Sequence, residues 1–211
     1  LINGALVNVT GFHPFIITLG TQAIFRGATL IVSNSSAVFG FPASFTKSIS
    51  ASVLGIPVIA IVAIIVALIL AFLTIKTKLG RNIYALGGNK ESAWYSGINV
   101  KLHTLIVFII SGLCAGIAGI VLLGRVGSAE PAAATGFETY AIAAAIIGGT
   151  SFFGGKGKIH GVVVGGLIIG VINYGMNILS LSSTLQQVVM GALIIGSVAL
   201  DRFVGSKNTS K

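Results

Sequence analysis

Four side chains carry a carboxylate, Glu91, Glu130, Glu138 and Asp201, and they are accompanied by three histidines and a single cysteine. General acid–base chemistry needs two titratable groups within reach of one substrate, and none of the four stands at a spacing that pairs it with a histidine or a second carboxylate. Cys114, inside an apolar run, supplies neither a disulfide framework nor a metal ligand set. The string GTSFFGGKGK looks like a phosphate cradle, but G-x-x-x-x-G-K-[ST] ending at Gly155-Lys156 requires glycine where Thr150 stands and a hydroxyl where Gly157 stands. No catalytic residue, metal or cofactor is expected, and any ATP hydrolysis must come from another chain.

The remaining polar candidates are suited to holding or passing a solute. Arg26 lies inside an apolar stretch, where a guanidinium is costly and faces a cavity, a partner or the nearer interface about 10 Å away. Thr18 and Gln22 sit one helical turn apart on that stretch. Asn173 and Asn177 do the same on a later one, beside Tyr174. Hydroxyls and amides without strong ionic sites fit a pathway from which an uncharged solute must be able to leave. Such groups in lipid equally seek interhelical partners. Arg125, Glu130 and Glu138 cluster in one short loop segment, where charge pairing with a protein partner competes with plain solvation. His13, His103 and His160 fall at the ends of apolar runs, as wet interfacial histidines do.

The elements that must carry these residues are membrane spans. Hydrophobic residues make up 55% of the 211 and charged residues 8%, with a mean hydropathy of +1.02. A soluble domain carries roughly 25% charge, so this chain cannot cover a water-facing surface. Spans of about 20 apolar residues are expected at Pro14–Val32, Val53–Ile75 and Leu102–Gly124. The uncharged stretch 161–200 would be about 60 Å long as one helix. It is therefore divided at Asn177–Thr184 into Gly161–Met176 and Leu185–Leu200. Thr139–Phe153 is expected as a short or re-entrant helix. That makes six spans, with Leu1–Val9 as the tail of a further one that the chain enters part-way. Gly112 and Gly116, Gly161 and Gly165, and Gly166 and Gly170 mark close helix approach.

The net charge of +9 follows the same plan. Lys76, Lys78, Arg81, Lys90 and Lys101 share one loop, and alternation through the spans places Lys156, Lys158, Arg202, Lys207 and Lys211 on its side. Only Lys47 and Arg125 fall opposite. The positive-inside bias therefore makes segment 76–101 and the C-terminus cytoplasmic. Cations spread between apolar runs, rather than along one face with aromatic residues, argue against nucleic acid as a partner.

Segment 76–101 is the one long inward loop. Gly87-Gly88 break it, Asn89 can cap a helix, Glu91 falls in the first turn after that cap, and Gly97 suits the helix end. A short helix is expected there. Glu91-Ser92-Ala93-Trp94-Tyr95-Ser96-Gly97 resembles the EAA-x-x-x-G signature of bacterial ATP-binding-cassette (ABC) importer permeases, with Ser92 in place of alanine. GRNIYALGGNKESAWYSGINV, HPFIITLGTQAIFRGATL and SAEPAAATGFETYAIAAAIIGGTSFFGGKGKIHG are similar to the ribose/galactoside branch, in the branched-chain amino acid and sugar permease superfamily.

The resemblance implies an all-α polytopic transmembrane bundle forming one permease domain over 1–211, N-terminally incomplete, in the bacterial inner membrane. It implies transfer of a monosaccharide or sugar-like solute into the cytoplasm. Glu91, Ser92, Ala93 and Gly97 would couple the chain to cytosolic ABC ATPase subunits, with small residues allowing close docking. A second permease, identical or homologous, and a periplasmic or lipid-anchored solute-binding protein would complete the system. An amino-acid or nucleoside permease of the same superfamily differs only in cargo. An ion-driven secondary transporter would carry mid-span carboxylates, which these spans lack.

Overall fold

The apolar runs build helices whose ends are set by a few polar residues and glycines. The computed structural model describes residues 1–207, and ten α-helices and one two-residue-per-strand hairpin occur among the described residues. Arg202 and Lys207 belong to the last helix, and Lys211, with the C-terminus itself, lies outside the described residues.

The chain divides into two compact units. The first comprises Leu1–Leu68 with Asn99–Ala133. It contains α1 (Ile2–Thr10), α2 (Pro14–Val32), α3 (Ala43–Ser50), the hairpin β1–β2 (Ser52–Val53 with Ile56–Pro57) and α7 (Val100–Val126). Helix α2 has the expected bounds because Pro14 opens it and His13 Nδ1 accepts from Phe15 N–H at 3.3 Å. Helix α1 lies on α7, where a Cβ added at Gly4 would come within 3.0–3.2 Å of Leu105 and Phe108. Asn8 Nδ2 donates to Lys101 O at 2.7 Å in the same contact. Helix α3, which nothing in the sequence announced, packs on α7 through Ile49 against Gly124. His103 is buried and donates from Nδ1 to Asn99 O at 2.8 Å, so it is a packed histidine rather than the wet interfacial one expected.

The second unit comprises Ile69–Ile98 with Ala134–Lys211. It contains α5 (Lys78–Gly88), α6 (Lys90–Tyr95), α8 (Phe137–Ile147), α9 (Ile159–Ile178) and α10 (Ser183–Lys207); α4 (Val58–Lys76) runs from one unit into the other. Its core is Ala143, Ala144, Ile169, Met176 and Met190, flanked by Tyr140, Ile172 and Leu193. Helices α8 and α9 pack through Gly148, Gly161 and Gly165, each of which lies against backbone of the other helix. The expectation of close approach thus holds at Gly161 and Gly165. Gly112, Gly116, Gly166 and Gly170 have nothing within 4 Å of an added Cβ, because they fall on other faces of their helices.

Several boundaries moved for local reasons. The span expected from Val53 begins at Val58, since Leu54 (φ 53°) and Gly55 (φ 81°) turn the chain and Val53 pairs with Ile56. The Thr139–Phe153 helix is only Phe137–Ile147, about 16 Å long, and gives way to an irregular loop at Gly148-Gly149. The 177–184 turn contracts to 179–182. Helix α7 starts at Val100 because Asn99 Oδ1 accepts from Leu102 N–H at 3.0 Å.

Four helices, α2, α4, α7 and α9, are long and apolar enough to cross a membrane; α8 and Thr184–Ala199 of α10 are shorter apolar helices. No residue of α4 is buried, and Ile64, Leu68 and Phe72 are more than half exposed. A helix apolar all round and uncovered by protein requires lipid as its solvent.

Candidate functional site

The candidate coupling segment forms as an ordered piece of α-helix. Asn89 takes the extended conformation of an N-cap, and its Oδ1 accepts from Ser92 N–H at 2.8 Å. Glu91 stands in the first turn, where the exposed N–H groups favour its charge. The helix ends at Ser96, whose Oγ donates to Ser92 O at 2.8 Å, and Gly97 then takes φ 79° to send the chain towards α7. Replacing Asn89 by alanine should loosen α6 by about 1 kcal/mol. Hydrogen exchange of the amides of residues 90–96 should accelerate by a corresponding few-fold.

The two faces of α6 differ. Ala93 is 2% exposed and turns into its own chain, whereas Glu91, Ser92 and Gly97 are exposed. The most prominent outward groups are Trp94 and Tyr95, whose rings sit edge-to-face at 4.9 Å. Their exposure was the missed signal: two adjacent large aromatics in an otherwise polar loop are residues a partner can bury. Just upstream, α5 was also missed. Its apolar positions Leu79, Ile83 and Leu86 recur at helical spacing, and Tyr84 Oη donates to Gly157 O at 2.8 Å.

The candidate pathway residues fall in different units. Thr18, Gln22 and Arg26 lie on α2, with Thr18 and Arg26 half-buried and Thr18 Oγ1 donating to Phe15 O at 3.1 Å. On α9, Asn173 Nδ2 donates to Ile169 O at 3.1 Å and Asn177 Nδ2 to Asn173 O at 2.9 Å. Asn177 Oδ1 also accepts from Gln186 Nε2 on α10 at 3.2 Å, an interhelical bond of the kind lipid favours. Tyr174 is 69% exposed. The α9 amides are thus held in place by carbonyls one turn back.

Of the candidate docking residues, Arg125 is in the last turn of α7 and Glu130 in the turn after it, both exposed; Glu138 opens α8 in the other unit. Packing of α3 on α7 brings Lys47 and Arg125 to one open concavity of about 460 Å³, with Phe39, Phe41 and Thr46 also on its wall. The charge count put Lys47 and Arg125 on one side of the spans, but their meeting at one concavity, 78 positions apart, was not legible in sequence. The rim of that segment is braced by Val38 and Ala129, which exchange backbone hydrogen bonds of 2.9 Å each way.

The chain is similar in sequence to several known permeases. The D-allose transport system permease protein AlsC of Escherichia coli K12 is 66% identical over 203 residues, 96% of this chain and 62% of its own length. The ribose import permease protein RbsC of Bacillus subtilis 168 is 41% identical over 202 residues, 95% of this chain and 63% of its own. The L-arabinose transport system permease protein AraH of Escherichia coli K12 is 37% identical over 202 residues, 96% and 62% respectively. The chain spans a little over three-fifths of the length of these relatives. No solved structure matches it. The family model described as branched-chain amino acid transport system / permease component matches residues 1–198, and the chain, an all-α multi-pass membrane protein, belongs to that family.

Proposed function

We propose that this chain is the single permease domain of an ATP-binding-cassette importer in a bacterial inner membrane, and that it passes a monosaccharide into the cytoplasm. The reading is carried by 66% identity, over 96% of the chain, with a relative named for D-allose transport. Relatives named for ribose and L-arabinose favour the same substrate class. Cytosolic ABC ATPase subunits receive α6, where Glu91, Ser92 and Gly97 present a short capped helix and Ala93 seats it on its own chain. A second permease, identical or homologous, completes the pathway, and a periplasmic or lipid-anchored solute-binding protein delivers the sugar.

Segment 76–101 and the C-terminus face the cytoplasm in this reading. The hydrogen bond from Tyr84 to Gly157 supports it, since it ties that segment to the loop bearing Lys156 and Lys158. With that segment inside, the basic residues so gathered would lie on the side the positive-inside bias favours. Thr18, Gln22 and Arg26 on α2, and Asn173, Tyr174 and Asn177 on α9, are the polar groups offered to sugar hydroxyls. Arg125, with Lys47 beside it, meets acidic groups of the binding protein, and Glu130 and Glu138 meet basic ones.

Co-expression of the whole transporter with its cytosolic ATPase tests this. The ATPase should co-purify with the chain, and proteoliposomes supplied with ATP and a binding protein should accumulate labelled aldoses. No accumulation of D-allose, ribose or arabinose, with an amino acid or nucleoside accumulating instead, would overturn the substrate class. Absence of any associated ATPase would overturn the importer reading itself.

A further inference from the structure

We infer that a backbone clasp between the end of α5 and the loop 148–158 carries displacement of α6 directly to α9; this rests on the coupling role proposed for α6. The two partners are glycine pairs. A Cβ on Gly87 would lie 2.7 Å from Gly155 N, one on Gly154 would lie 2.6 Å from Gly87 O, and one on Gly155 would lie 2.6 Å from Gly88 Cα. Gly154 and Gly155 also have φ values of 93° and 71°, a region that side-chain-bearing residues rarely enter. Tyr84 Oη closes the contact on Gly157 O at 2.8 Å.

The clasp is placed to transmit motion in both directions along the chain. On one side, Gly88 adjoins Asn89, the residue that caps α6. On the other, Gly157 is two residues from Ile159, the first residue of α9. The loop between is braced within itself, with Ser151 N–H donating to Lys156 O at 3.0 Å and Gly157 packed on Thr150. Helix α9 is in turn locked to α8 through Gly161 and Gly165. Side-chain contacts absorb small displacements by changing rotamer. Backbone against backbone has no rotamer to change, so a shift of α6 moves α9 or breaks the contact. Tyr84, Gly87, Gly154 and Gly155 are therefore positioning residues for the transport step, and they need not touch solute or nucleotide.

The test uses the whole transporter in proteoliposomes with its ATPase and loaded binding protein, comparing the parent with Gly155→Ala and with Tyr84→Phe. In both variants the ATPase should co-purify and basal hydrolysis should stay at the parent level. The number of sugars moved per ATP should fall about tenfold in Gly155→Ala, an ordinary loss of coupling between sites. In Tyr84→Phe, which removes one hydroxyl, it should fall about threefold. Tyr84→Phe decides alone if Gly155→Ala does not fold. Unchanged sugar-to-ATP ratios with the ATPase bound would overturn the clasp and leave the importer reading standing. A parent chain that binds no ATPase would overturn both.

Discussion

Gly165→Leu should leave little folded protein in the membrane, whereas Gly166→Leu, one residue along, should be tolerated. A Cβ at Gly165 would overlap Ala144 O and come within 2.9 Å of both Ala144 C and Gly148 N. Helix α9 approaches α8 again at Gly161, where a Cβ would overlap Gly148 O, and at Gly148, whose own Cβ would lie 2.5 Å from Gly161 C. In lipid no hydrophobic force holds two helices together, so van der Waals contact through small residues carries the association. Prising the backbones apart at Gly165 forfeits that contact along the whole seam. The cost should reach about 3 kcal/mol, the upper part of the usual range for overpacked interiors. Gly166 has nothing within 4 Å of an added Cβ, so its leucine variant should lie within about 0.5 kcal/mol of the parent. Thermal unfolding of the two variants in mild detergent, with the yield of monodisperse protein, measures both. Equal behaviour would show that the α8–α9 seam is not what holds this unit.

That contrast also marks what a sequence can and cannot convey about such a fold. Spacing finds glycines that share a helix face, and Gly161-Gly165 and Gly166-Gly170 satisfy it equally. Which face meets a neighbour depends on a helix elsewhere in the chain. Pro14–Val32 was legible to the residue, since Pro14 and the polar run after Val32 both signal locally. The start of α4 was not: Gly55 and Pro57 signal a break locally, but Val53, Leu54 and Ile56 continue the apolar run, which hid the turn. The positive φ at Leu54 and Gly55 and the pairing of Val53 with Ile56 set this segment apart from the helix.

Helices α3 and α5 escaped for a related reason. Each is short and mixed in character, and each is held by contacts distant in sequence: Ile49 on Gly124, and Tyr84 on Gly157. The elements around the candidate site were therefore partly readable. Asn89, Glu91 and Gly97 gave the bounds of α6 from local chemistry alone. The inward turn of Ala93 and the outward turn of Trp94 and Tyr95 came only with its neighbours in place.

If α6 docks on a cytosolic ATPase as proposed, the double variant Trp94→Ala, Tyr95→Ala should weaken that association about 100-fold. Trp94 is 62% exposed and Tyr95 80%, on a helix whose cap and exit turn are preformed. A partner groove that buries two aromatic rings would make them the dominant binding residues, each losing about 2 kcal/mol on truncation, where 1.4 kcal/mol is tenfold. Their rings meet edge-to-face and most of each residue is open to its surroundings, so truncation should leave the fold standing. Gly97→Val probes the other end of α6. A Cβ there meets open space, yet the backbone holds φ 79°, which a β-branched residue resists. It should re-aim α6 without filling any gap, and so lower sugar-stimulated hydrolysis several-fold more than it lowers ATPase binding. Aromatic residues beside spans also anchor chains at the headgroup level, and the two roles separate cleanly. If Trp94 and Tyr95 were lipid anchors, the double variant would shift the depth of segment 76–101 in vesicles, read by quenching of fluorophores placed in that segment. It would then leave titrated ATPase affinity unchanged. Retained affinity would remove the docking role from α6, and with it the reason for so short a helix to be capped so completely.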